Sequence, residues 1–73
     1  MGNLVQVAKV IWEVVAEFPD SGVPAGHVYA ALMTAGIELG QFEIAVASLV
    51  SANLLRREGH VLFALPIPNE VSA

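Results

Sequence analysis

Two histidines, His27 and His60, an Asp20-Ser21 pair and seven carboxylates are the side chains with which this chain could do chemistry. Two imidazoles and a glutamate can hold zinc, but ligating histidines come at short, regular spacings. His27 and His60 lie far apart, in a helical stretch and beside a hairpin turn, and read as surface residues. Asp20, Ser21 and a histidine have the composition of a hydrolytic triad. Adjacent residues of one loop cannot take up its geometry, in which the acid orients the base and the base the hydroxyl. A turn is the better reading of that loop. Glu13 and Glu17 stand one helical turn apart on a solvated stripe, where nothing separates their pKa values for acid–base work. Gly36 and Gly40 make no phosphate cradle, because no lysine follows them. The chain has no cysteine, hence no thiolate, disulfide or zinc knuckle. The expectation is a non-enzymatic protein with no cofactor, no metal and no small-molecule substrate.

Composition points elsewhere. A chain of 73 residues makes one small domain. Such a domain hides only about 60–65% of the surface its unfolded chain exposes. Yet 56% of the residues are hydrophobic and 14% charged, more apolar material than a core this small can cover. Self-association or a protein partner is the expected remedy. Lys9, Arg56 and Arg57 are the only cations against seven acids, a formal net charge of −4. That balance favours solubility and opposes a broad electrostatic grip on phosphates. It is also too weak and scattered to mimic DNA. No cationic region precedes the first apolar stretch, so no signal peptide is expected. The longest stretch without a charge, residues 21–37, contains Gly22, Pro24, Gly26 and His27 and does not read as a membrane span. A cytoplasmic protein is expected.

The elements follow from periodicity. Asn3 suits the cap of a first helix running to about Phe18. On its wheel Gln6, Lys9, Glu13 and Glu17 fall on one narrow stripe. Val5, Trp12, Leu4, Ala8, Ile11, Val15, Val10 and Val14 fill an apolar arc of roughly 200°, about twice what a helix on a core surface needs. Either one flank meets a partner, or the domain wraps this helix on two sides. The loop "FPDSGVP" breaks the pattern, and Pro24 suits the first turn of a second helix. Val28, Ala31 and Leu32 are its expected inner face, with Tyr29 flanking and Met33 in the core. Gly36 ends it. Ile37 leads into a third helix with Glu38 near its start, where the helix dipole favours a carboxylate. Phe42, Ala45, Val46, Leu49 and Asn53 are its expected inner face, and Asn53 tolerates the left-handed backbone that ends a helix. Strands over 54–57 and 60–65 follow, turning at Glu58-Gly59, with Leu55, Val61 and Phe63 reaching the core. Pro66 and Pro68 stop the second strand. The domain spans 1–66, and 67–73 read as a flexible tail.

Three helices followed by a hairpin, with "IELGQFEIAVASLVSANLLRREGHVLFAL" as the most telling stretch, resemble the winged helix-turn-helix family over about residues 4–65. The fold class this implies is mainly α with a small β-hairpin (α+β), the two strands forming the wing. Asn53 stands where many members have glycine, and "RREG" forms the wing tip. In DNA-binding members the outward face of the third helix enters the major groove. Here that face carries Gly40, Glu43, Ile44, Ala47, Ser48 and Ser51, where readers place arginine, lysine, glutamine or other polar groups. The expected function is therefore a protein-interaction module that docks through these six residues. It dimerises, or binds its partner, through Val5, Val10, Trp12 and Val14 of the first helix. The alternative is a small dimeric transcriptional regulator whose DNA contacts are Gln41, Ser48, Ser51, Arg56 and Arg57.

Overall fold

Leu4–Ala16 form helix α1, and its chemistry explains both its path and its end. Val7, Ile11 and Val15 recur at one-turn spacing and are buried against the rest of the chain. The helix stops two residues short of Phe18, which is exposed. Pro19 is the reason, since the residue before a proline is pushed out of the helical region. The last turn tightens instead, with the N–H groups of Glu17 and Phe18 donating to Val14 and Val15. The computed structural model describes residues 4–66, so the Asn3 cap and the tail over 67–73 lie outside the described residues.

Strand β1 (Val23–Pro24), helix α2 (Ala25–Met33), helix α3 (Leu39–Ser51) and strands β2 (Leu55–Glu58) and β3 (Val61–Ala64) complete the chain. Three helices and an antiparallel hairpin make it a small α+β fold, with one addition to the expected pattern. The two residues of β1 pair with Leu62 and Val61, giving a three-stranded sheet of order β1-β3-β2. Pro24 therefore closes an edge strand, where its missing N–H costs no ladder bond, and does not open the helix as expected. The next N–H, from Ala25, donates to the His60 carbonyl at 2.6 Å, which fastens the start of α2 to the hairpin turn.

Both later helices end in one device. Beyond α2, Gly36 holds φ +87° and its N–H donates to Met33 while that of Ile37 donates to Leu32. Beyond α3, Asn53 holds φ +62°, with its N–H on Val50 and that of Leu54 on Leu49. This is the Schellman pattern, a left-handed residue that lets two N–H groups satisfy the last carbonyls. Ile37 and Leu54 then turn inward onto the core. Asn53 itself is exposed, so it ends α3 without sharing the inner face expected of it.

Phe42, Ala45, Val46 and Leu49 of α3 pack with Val28 and Leu32 of α2, the α1 row, Val23, Leu55 and Leu62 in one core. Each fully buried aliphatic side chain contributes about 1.5–3 kcal/mol relative to exposure. Two expected core residues of α2 face water. Ala31 is exposed and Met33 is 53% exposed. The helix is only 9 residues long, and its inner stripe is centred on Val28 and Leu32 with Ala25 and Tyr29 beside them. Tyr29 flanks the core as expected, its ring 5.3 Å from that of Phe42.

The hairpin is shifted by one residue from its expected phase. Glu58 pairs with Val61, which leaves Gly59-His60 as the turn. Gly59 holds φ +61°, the left-handed first position of a type II′ turn. Moving a two-residue turn by one position re-pairs the strands by two residues and leaves each side chain on its face. Leu62, on the same face as the buried Leu55, is the fully buried residue of β3, while Val61 and Phe63, expected in the core, alternate away from it.

Candidate docking surface

The outward face of α3 is built by subtraction. Once Phe42, Ala45, Val46 and Leu49 turn inward, the expected face of Gly40, Glu43, Ile44, Ala47, Ser48 and Ser51 is left outside, all six exposed, as are Leu39 and Val50. Ile44 is 54% exposed at the centre of this face. It lines a shallow depression with Ala47, Ser48, Ser51 and Ala52. No cation lies among these residues. Such a surface, apolar at its centre with hydroxyls and a carboxylate around it, has the anatomy of a modest protein interface.

Gln41, one of the expected DNA contacts, has another engagement in the fold. Its Oε1 accepts the N–H of Glu38 at 3.2 Å, the reach-back half of a capping box at the start of α3. A side chain held there would have to give up the cap before it could read a base. The "E-x-x-Q" spacing of Glu38 and Gln41 was the available signal for that role.

Arg56 and Arg57, the two arginines of the hairpin, leave β2 on opposite faces. Neighbouring residues of a strand point to opposite faces. Arg56 stacks over the Phe63 ring, 4.4 Å from its centroid, and pairs with Glu58. Arg57 lies on the other face, in a cleft of about 160 Å³ that it shares with Glu43, Tyr29 and Phe42, and its Nε donates to the Gly59 carbonyl at 3.1 Å. Arg56 is thus engaged by a carboxylate and a ring, while Arg57 donates to a backbone carbonyl.

The first helix places its expected interface residues on two separate flanks. Val10 is exposed and Val14 half-buried on the side nearer α2, where Val14 borders a hollow with Phe18, Val23, His27 and Val28. Val5 and Trp12 are on the other side. There they line a groove of about 450 Å³ between α1 and α3, together with Ala8, Ser48, Leu49, Ala52 and Leu54. Val5 is 76% exposed, while Trp12 is half-buried and spends its indole N–H on the Leu65 carbonyl at 3.1 Å. The groove and the depression on α3 share Ser48 and Ala52, so they form one continuous surface. Lys9 and Glu13 edge the groove; periodicity had placed them only on a solvated stripe. Their position beside Val5 and Trp12 on the wheel was the signal for more.

Among the described residues no three His, Cys, Asp or Glu side chains gather closely enough to hold a metal ion, and no helix is long and apolar enough to cross a membrane. Compared with protein-family models, curated proteins and solved structures, the chain matches none.

Proposed function

We propose that this chain is a small winged-helix protein that works as a protein-interaction module, docking through the outward face of α3 and the adjoining groove. The order of three helices and a hairpin supports the family, and the exposed Ile44 carries the functional reading. A duplex reader needs donors at that position and about six or more phosphate contacts overall. The corresponding helix face here has no cation, Gln41 caps its own helix, and of the two hairpin arginines Arg56 is paired with Glu58.

Titration of the purified protein against random duplex DNA at low and moderate salt tests the reading directly. No mobility shift is expected even at low salt. A salt-sensitive shift, or a sequence-selective footprint whose base preference changes with Ser48 or Ser51 substitutions, would replace docking with transcriptional regulation. Ile44→Arg sharpens the contrast. At an exposed position it should leave stability within about 0.5 kcal/mol of wild type. It should abolish docking, whereas in a DNA binder it would add a phosphate contact and steepen the salt dependence by about one unit.

A further inference from the structure

We propose that the groove between α1 and α3 is filled by α1 of a second copy of this chain, the two helices antiparallel about a two-fold axis at the level of Ile11. The proposal rests on the docking reading and names the partner. Lys9 and Glu13 carry it. Both edge the groove, they have opposite charge, and neither makes an ion pair or hydrogen bond within the described residues. They are four residues apart, about 6 Å along the helix. A two-fold axis midway between them brings Lys9 of each copy level with Glu13 of the other, on the same edge of the contact. A parallel two-fold pairing would put Lys9 level with Lys9 and Glu13 with Glu13 on opposite edges of the contact, and would bring neither to its opposite charge. The groove is thus complementary in charge to its own rim, the property an isologous interface requires.

The apolar part fits the same occupant. Val5, Ala8 and Trp12 lie inside the Lys9–Glu13 edge, and Ser48 of α3 and Ala52 just beyond its end are small enough to admit a helix. A stable pair buries about 800 Å² on each partner. That is about a sixth of the 4846 Å² this chain exposes, and the adjoining Ile44 and Ala47 extend the apolar surface available to the contact.

Charge exchange tests the pairing by sedimentation equilibrium, with circular dichroism confirming that each variant folds. Wild type should dimerise at micromolar concentration. Lys9→Glu or Glu13→Lys alone places like charges at two symmetry-related points and should raise the dimer Kd about tenfold or more. The double variant restores both pairs in exchanged positions and should return Kd to within about threefold of wild type, because independent effects would instead add. Ala52→Arg, in the groove floor, should abolish the dimer. A wild-type protein that stays monomeric at millimolar concentration, or a double variant as weak as the worse single one, overturns the two-fold pairing. Neither result touches the docking reading, which falls to the DNA titration.

Discussion

Gly22 shows most sharply what one residue can decide. It is buried at φ +70°, and a Cβ built there would lie 2.7 Å from Phe63 Cε2, 2.8 Å from Val61 Cγ1 and 2.9 Å from the Leu62 carbonyl oxygen. The carbonyl belongs to the backbone of the central strand and cannot turn away. Gly22→Ala therefore meets both the left-handed penalty and an overpacked contact. It should cost about 2–4 kcal/mol, a large part of the roughly 5 kcal/mol a domain this small can hold. Gly59 also has a positive φ, +61°, but nothing within 4 Å of a built Cβ. Gly59→Ala should cost only about 1 kcal/mol, the conformational term alone. Urea midpoints of the two variants measured together separate strain from crowding. In the sequence Gly22 looked like any loop glycine. Its second role depends on a strand that pairs with it from the other end of the chain, and no local pattern carries that information.

Helices proved more legible than strands, and the reason is the number of independent signals each contains. The α3 inner face was readable from Phe42, Ala45, Val46 and Leu49 at helical spacing, and its end from Asn53. The hairpin rested on one glycine, and whether that glycine takes the first or second place in the turn sets the phase of both strands. β1 has only two residues and carries no periodicity at all. The outward face of α3 was legible because it is the complement of a strong pattern. The groove was only half so, because α1 supplies one wall and a different helix the other. The caps of α3 make a test at this scale. Gln41→Ala removes the acceptor for the Glu38 N–H and should cost about 0.5–1 kcal/mol. Asn53→Gly should be neutral or gain up to about 1 kcal/mol, since glycine holds φ +62° without the Cβ penalty. Asn53→Val should lose about 1–2 kcal/mol. Thermal unfolding of these variants would show whether α3 is set by its ends as well as by its packed face. A loss for Asn53→Gly would mean that the asparagine side chain has a role the backbone geometry does not explain.

For the molecule as a whole, the excess of apolar residues over available core was visible from composition. What composition could not show is where part of the excess lies: Val5 and Ile44 on one continuous surface, and Val14 and Phe18 around a second hollow, while Met33, Leu39 and Val50 are exposed elsewhere. The sheet order β1-β3-β2 has a consequence in time as well as in space. Its central strand is the last in order among the described elements. On a ribosome, β1 and β2 emerge first and find no partner until Val61–Ala64 follow. Leu62, with 0% exposure, arrives with them, and so does the Leu65 carbonyl that receives the Trp12 indole. Closing β1 on β3 joins segments distant along the chain, a pairing that is entropically slow. A chain ending at His60 should keep part of its helical circular dichroism yet melt without a cooperative transition. Cooperative melting of that truncated chain would show that the helices fold without the strand. Until β3 is made the inner face stays uncovered, so the interval before Val61–Ala64 are added is the one most exposed to aggregation.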